Sequence, residues 1–243
     1  MCNQKNFSQM TDILEKYPEV KAVREQMLED GASFNANHNI AEYMTPEVME
    51  QMHDAVEEAC ANVLNALLIN LDTDHNSQDT PRRLAKMFLK ETMYGRYQPR
   101  PNITEFPNAS NLDQMLIVRN LRVESLCSHH HQNIRGHAHI AVMPKRDGKV
   151  VGLSKFSRIL DWICRRPQIQ EEMTTQIADE IQEVLDDNSI LGVAVVIVAD
   201  HQCMSCRGVM EQDSDTVTSV MRGCFRDEQS YKQEFMSSIA KHL

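Results

Sequence analysis

Apolar positions first recur regularly after Thr45, where they predict a helix over residues 45–71. Thr45, Pro46 and Glu47 supply an N-cap, a proline at the first helical position and an acidic first turn. An apolar residue then follows every three or four positions, which is typical of a helix that packs one face on a core. The stripe consists of Met49, Met52, Val56, Ala59, Val63 and Leu67.

A second helix is predicted over residues 81–94, with Asp79 and Thr80 at its start. Its first turns carry Arg82, Arg83 and Lys86, although positive charges are unfavourable near the positive end of a helix dipole. A bound anion would offset this effect, but a solvated surface is the commoner reason for such a cluster. The residue types leave both interpretations open.

The remaining pattern predicts an α+β fold, an antiparallel sheet backed by helices. Runs rich in β-branched residues indicate strands at 115–123, 137–143 and 192–198. A helical stretch over 154–186 is interrupted at Arg165-Arg166-Pro167, and a last helix begins near residue 227. Residues 1–44 are predicted to be an appendage and linker with one helical stretch at 7–28. The main domain then spans 45–243, helical over 45–112 and strand-containing over 113–243.

Charge and composition exclude several partners. The chain of 243 residues has a formal net charge of −10 and only 5% aromatic residues, so a nucleic-acid surface is not expected. Its longest apolar run, 190–199, is about half the ~20 residues of a membrane-spanning helix and is expected to be a buried strand. Seven cysteines and the absence of a secretion signal in the first residues predict a reduced, cytoplasmic compartment.

The candidate chemistry is concentrated in two segments. Cys127 and His130 have the short spacing of half a metal site, and the segment 201–207 supplies Cys203 and Cys206 for a second half. A closed site with four ligands would be structural, whereas three ligands would leave a position for water. Buried cysteines without a metal are also common, and spacing alone does not separate these possibilities.

Five segments resemble the GTP cyclohydrolase I family in order and spacing, over a match from about residue 45 to the C-terminus. They are residues 79–87, 127–130, 151–159, 166–171 and 201–208. The resemblance implies the tunnelling fold, in which antiparallel sheets with two helices on one face join across subunits into a barrel. It also implies a homo-oligomer, a decamer of two pentamers, with active sites at subunit boundaries.

The resemblance assigns Cys127, His130 and Cys203 as ligands of Zn2+, with Cys206 off the metal. His129, His201 and Ser154 match catalytic positions, and the two histidines would transfer protons. The positions that match substrate contacts are Gln170, Glu171, Lys155, Arg158, Arg207, Arg83 and Lys86. Glu171 would hold the guanine edge, and Gln170 would lie beside the base or ribose. The lysine and arginine side chains would hold the triphosphate and ribose, and Arg83 and Lys86 would reach in from a neighbouring subunit.

The implied reaction converts GTP and water to 7,8-dihydroneopterin triphosphate and formate, the first step of a pterin, folate or 7-deazaguanine pathway. The main departure from the family is Ser128, which stands where the family has Glu, and His131 and Arg135 add polar groups where the family tends to be apolar. Ser128 keeps open the alternative of a related tunnelling-fold enzyme with a different nucleotide substrate. A site closed by Cys206 would instead fit a non-catalytic, zinc-stabilised oligomer that binds nucleotides.

Overall fold

The computed structural model describes residues 13–242, which divide into two compact units on either side of the bond between Gln98 and Pro99. The N-terminal unit is helical and the C-terminal unit contains both sheets. Within residues 13–242, no helix combines the length and the apolar character that a membrane crossing requires.

The N-terminal unit is built around helix α2, Pro46–Ala66. The hydroxyl of Thr45 accepts a hydrogen bond from the backbone N–H of Val48, which confirms the predicted N-cap. The other elements of this unit are α1 (Pro18–Glu29), α3 (Thr80–Lys86), a π-helical turn (Met87–Thr92), α4 (Tyr94–Tyr97) and 3-10 turns at Leu14–Lys16 and Ala41–Tyr43. The helix predicted at 7–28 is confirmed from residue 18 onward, while its first six positions lie outside the described residues.

Three details of the helix prediction are wrong. Helix α2 ends at Ala66, five residues early, because Leu68 adopts a left-handed backbone conformation with φ 61°. The C-terminal half of the apolar stripe is exposed in this chain, with Val63 at 59% and Leu67 at 65%, whereas the buried positions of α2 are Val48, Ala55 and Cys60. The second helix also ends early, at Lys86, where the backbone changes to the π-helical turn.

Residues 13–44 pack within the same unit as α2. The Tyr17 hydroxyl donates to the Glu58 carboxylate at 3.0 Å, and the Lys16 ammonium pairs with the same side chain. The predicted start of the main domain after residue 44 and the predicted end of its helical part at residue 112 stay predictions.

The C-terminal unit contains a five-stranded sheet in the order β5-β2-β3-β6-β7. Its strands are β2 (Leu116–Cys127), β3 (Asn133–Pro144), β5 (Pro167–Gln168), β6 (Ile190–His201) and β7 (Thr216–Gly223). The three predicted strands are confirmed, each longer than expected. The sheet is mixed rather than antiparallel, because β5 pairs with β2 in parallel, and β7 was not predicted as a strand. A separate two-stranded ladder joins β1 (Glu105–Pro107) to β4 (Lys149–Val151).

Both faces of the inner strand β6, which lies between β3 and β7, are buried. Val193, Val195 and Ile197 belong to a core with α5 (Leu153–Cys164) and α6 (Gln170–Ser189). The alternate residues Ala194 and Val196 pack against Phe225, Phe235 and Ile239, which the C-terminal helices provide. Successive side chains of a strand point to opposite faces, so burial on both faces accounts for the continuous apolar run. The C-terminal helices are α8 (Cys224–Asp227) and α9 (Gln229–Ile239), and a short helix, α7 (Gln202–Ser205), follows β6.

We expect Gly136→Ala to destabilise the fold by about 3 kcal/mol or more, since overpacking of a rigid contact is costly. A Cβ at Gly136 in β3 would lie 1.9 Å from the Val198 carbonyl oxygen of β6. Gly152→Ala is the matched control, because a Cβ there meets nothing within 4 Å. Urea unfolding followed by circular dichroism measures both, and equal midpoints for the two variants would contradict the expectation.

Candidate active site

The site lies at one end of the large sheet, where three chain segments come together. Cys127 is the last residue of β2 and pairs with Gln168 of β5, while the Ser128 backbone N–H donates to the Gln168 carbonyl at 2.9 Å. His201 ends β6 opposite Ile134, near the start of β3. Helix α6 begins directly after β5, so its first turn is held at the same end as Cys127.

A three-donor cluster is formed by Cys127, His130 and Cys203, whose ligand atoms all lie within 4.8 Å of one another. A tight turn brings His130 over Cys127: the His131 N–H donates to the Cys127 carbonyl at 2.8 Å, and His131 has φ 52°. Cys203 comes from α7, directly after β6. Two sulfurs and one imidazole nitrogen suit zinc and related soft divalent metals. The predicted ligand triad is therefore assembled in this chain as a metal-capable site.

Cys206 does not belong to this cluster. Its side chain is exposed, its backbone N–H donates to the Gln202 carbonyl, and its sulfur lies 3.9 Å from the Ser205 hydroxyl. Burial raises the pKa of the Cys203 thiol, and the neighbouring Cys127 thiol raises it further. Of the two metal arrangements left open by the spacing, the geometry favours three ligands.

His201 is joined to Gln170, the first residue of α6. The His201 Nε2 and Gln170 Oε1 atoms are 2.7 Å apart, and Gln170 is only 1% exposed. Burial lowers the pKa of His201, while the carboxylates of Glu171 and Asp200 oppose this shift. The net lowering of the pKa favours the neutral imidazole, which is the form that can accept a proton.

Three further side chains lie near this end of the sheet and are exposed in the chain. The His129 ring stands edge-on to His130, with centroids 6.2 Å apart. Glu171 occupies the first turn of α6, and the Arg207 guanidinium donates to the Cys203 carbonyl at 3.4 Å. The fold thus brings His129, Glu171 and Arg207 to the end of the sheet that carries the three-donor cluster, and their contact with a ligand stays a prediction.

Ser154, Lys155 and Arg158 do not join this site within one chain, contrary to a simple reading of the motifs. They occupy the first turns of α5, whose other end, Cys164, precedes β5. A helix rises 1.5 Å per residue, so Ser154 lies about 15 Å along the axis from that end.

The start of α5 belongs to the opposite end of the sheet. Leu153 lines an apolar cleft with Leu116, Pro144 and Ile190, which are terminal strand residues remote from the metal cluster. The Lys155 ammonium donates to the Asn102 carbonyl at 3.1 Å. Within one copy of the chain, the metal cluster and these three polar residues therefore lie at opposite ends of the sheet.

Arg83 and Lys86 belong to the N-terminal unit. Arg83 lies 3.5 Å from the Asp79 carboxylate, and Lys86 lies 3.1 Å from that of Glu91. Both side chains are exposed, and exposed ion pairs of this kind contribute little to stability. Their contact with a substrate stays a prediction.

Sequence reasoning missed the threonines that surround Gln170. The Gln170 amide nitrogen donates to the Thr216 carbonyl at 2.8 Å and to the Thr218 hydroxyl at 3.1 Å. The Thr218 hydroxyl is in turn 2.6 Å from that of Thr174. The alternation of threonine at 216 and 218 was the one available signal, and it is too common in strands to be specific.

These features define an α+β protein with a three-donor, metal-capable cluster and histidines beside it, an arrangement found in metal-dependent hydrolytic enzymes. Residues 56–240 match the family model of GTP cyclohydrolase I. The chain therefore belongs to the GTP cyclohydrolase I family, which confirms the resemblance found in the motifs.

Individual relatives agree over most of their length. The chain is 37% identical to GTP cyclohydrolase 1 of Vibrio vulnificus over 191 residues, 78% of this chain and 85% of that protein. It is 41% identical to GTP cyclohydrolase 1 of Yersinia pestis over 177 residues, 72% and 78% of the two chains. The protein of the same name from Flavobacterium johnsoniae is 38% identical over 209 residues, 85% and 90% of the two chains.

We expect the cobalt-loaded protein to retain its visible absorption spectrum in the Cys206→Ala variant, because this sulfur is outside the cluster. Cys203→Ala should weaken the sulfur-to-cobalt absorption near the ultraviolet, since one of two thiolate ligands is lost. Absorption spectroscopy at equal cobalt loading measures both. A weaker sulfur-to-cobalt band in Cys206→Ala would instead identify a fourth ligand.

Proposed function

We propose that this chain is a zinc-dependent GTP cyclohydrolase that converts GTP and water to 7,8-dihydroneopterin triphosphate and formate. The observation that carries the proposal is the cluster of Cys127, His130 and Cys203 in a member of the GTP cyclohydrolase I family. The donor set fits zinc, because two cysteines and one histidine are a known ligand set of catalytic zinc. Zinc held by three protein ligands supplies a Lewis acid that makes water nucleophilic near neutral pH.

The protein's own groups would bind the base and move protons. The side chain of Glu171, in the first turn of α6, would accept hydrogen bonds from the ring N–H and the exocyclic amine of guanine. His201 in its neutral form would accept a proton, and exposed His129, whose ring contacts that of His130, would exchange protons beside the metal cluster. Arg207 would hold phosphate or ribose oxygens, since its guanidinium is next to Cys203.

The complete site would need more than one copy of the chain. Ser154, Lys155 and Arg158 lie at the far end of α5 from the cluster, so a neighbouring copy would present them to the triphosphate bound at the metal end. Arg83 and Lys86 are further candidates for that role. A triphosphate carries about four negative charges at neutral pH, and gathering these cations around it is electrostatically favourable.

Free sheet edges support such an oligomer. In the described part of the chain, β7 pairs on one side only, and β2 pairs with β5 through no more than Leu126 and Cys127. Unpaired strand edges are templates for pairing with another chain. The proposed assembly is the tunnelling-fold barrel, with two pentamers forming a decamer. We place the enzyme in the cytoplasm, at the first step of a pterin, folate or 7-deazaguanine pathway.

We expect the zinc-loaded protein to release formate and form 7,8-dihydroneopterin triphosphate from GTP, and Cys127→Ala to reduce this turnover by at least about a hundredfold. Formate release and the absorbance of the oxidised pterin product measure the activity. Turnover of GTP in clear preference to dGTP would exclude the alternative of a shifted substrate, which Ser128 raised. The absence of product from protein with full zinc content would refute the proposed function.

Sites shared between copies predict complementation. Cys127→Ala and Lys155→Ala should each be inactive alone, because one lacks the metal ligand and the other the phosphate contact. When the two are unfolded and refolded together in equal amounts, about a quarter of random pairings combine an intact metal end with an intact α5 end. Activity near that fraction is expected, whereas none would indicate that each copy uses only its own residues.

A further inference from the structure

The side-chain amide of Gln170 is held in one orientation by the surrounding backbone. Its nitrogen lies 2.8 Å from the Thr216 carbonyl oxygen and 3.3 Å from that of Ile197. Carbonyl oxygens only accept hydrogen bonds, so the NH2 group must face them. A rotated amide would set its own oxygen against both carbonyls in a site that is 1% exposed. The two carbonyl acceptors therefore fix the orientation of the Gln170 amide.

The hydroxyls of Thr174 and Thr218 complete a directed ring on Gln170. The Thr174 hydroxyl lies 2.7 Å from the Gln170 backbone oxygen and must donate its one proton there. Thr218, 2.6 Å away, must then donate to Thr174. Its oxygen is left to accept from the Gln170 amide at 3.1 Å. Three hydrogen bonds therefore start and end on the same residue, with every proton assigned.

This ring determines the state of His201. The Gln170 Oε1 atom faces His201 Nε2 at 2.7 Å, and an amide oxygen only accepts, so Nε2 carries a proton. A neutral imidazole with Nε2–H has its lone pair on Nδ1. Within residues 13–242, no protein group hydrogen-bonds to this Nδ1 atom. It is the nitrogen that remains for proton transfer.

We propose that Thr218, together with Thr174, is a positioning residue that acts through Gln170 to hold His201 as the Nε2–H tautomer. The inference rests on the proposed function, in which His201 transfers protons. A proton taken from a reacting group at Nδ1 gives the imidazolium, and its return restores the neutral ring. Nε2–H donates to Gln170 throughout. In this role Gln170 is a buried support for the histidine rather than a contact to the base or ribose.

Isosteric substitutions in the zinc-loaded full chain test the role of the hydroxyls. We expect Thr218→Val to lower kcat for GTP about tenfold, with KM changed by less than about twofold, because the substrate contacts are intact. Thr218→Ser keeps the hydroxyl and should return kcat to within about twofold of the parent. Thr174→Val should act in the same direction as Thr218→Val.

Thr175→Val is the matched control. Its hydroxyl donates to the Glu171 carbonyl at 3.1 Å, one position along the same helix from Thr174, but it is exposed and outside the ring. Its kcat should equal that of the parent. A Thr218→Ser variant as slow as Thr218→Val would overturn the proposal, since packing of the methyl group would then be the cause. Unchanged kcat in Thr218→Val would overturn it as well.

A spectroscopic measurement reads the tautomer directly. Solid-state 15N spectra of histidine-labelled protein at about pH 8, where imidazole is neutral, distinguish protonated from unprotonated ring nitrogens. The signals of His201 are those missing in His201→Asn. The parent should show Nε2–H alone, and Thr218→Val should show a mixture of tautomers. A parent protonated at Nδ1 would refute the inference. If the parent does not turn over GTP, the proposed function fails, while these spectra still decide the tautomer.

Discussion

The burial of β6 on both faces is the constraint on which the rest of the C-terminal unit depends. On one face of the strand, Val193, Val195 and Ile197 contact the core with α5 and α6. On the other face, Ala194 and Val196 contact α8 and α9. A shift of register by one residue would exchange these two sets and misplace every side chain of the strand. The same register places His201 opposite Ile134, so the packing of the core sets the position of the proposed proton-transfer group.

The candidate site combines local and distant positioning. Cys127 and His130 are brought together by a turn of a few residues, which a short motif can specify by itself. Cys203 arrives from the end of β6, some seventy residues later in the chain, and depends on the sheet. Gln170 depends on contacts with β7 that cross more than forty residues. The metal cluster is thus partly a property of the turn, whereas the histidine environment is a property of the fold.

The sequence pattern was sufficient for the class of fold, the three long strands and the break between α5 and α6, whereas the grouping of Cys127, His130 and Cys203 came from the resemblance to the family. The end of α2 at Ala66 could not be predicted from the sequence. It depends on the left-handed backbone conformation of Leu68, and no glycine or proline at that position indicates such a conformation. The spacing of Cys203 and Cys206 could not separate three ligands from four, since this depends on the direction in which each sulfur points, from α7 for Cys203 and from the residue after α7 for Cys206. The motif 151–159 likewise gave no sign that α5 carries Ser154 away from the metal end. The role of Thr218 could not be predicted from the sequence, because it arises from a contact with Gln170 of α6, 48 positions away in the chain.

The shortest strand of the sheet has a mechanical consequence. β5 contributes only Pro167 and Gln168, yet it links Cys127 to the first turn of α6 through adjacent backbone groups. The spacing between Cys127 and Glu171 is therefore set over a short stretch of backbone, close to the strand pairing itself. Helix α6 leaves the helical conformation only towards its far end, at Asp186. Two residues of parallel pairing thus act as a spacer between the proposed metal ligand and the proposed guanine-binding carboxylate.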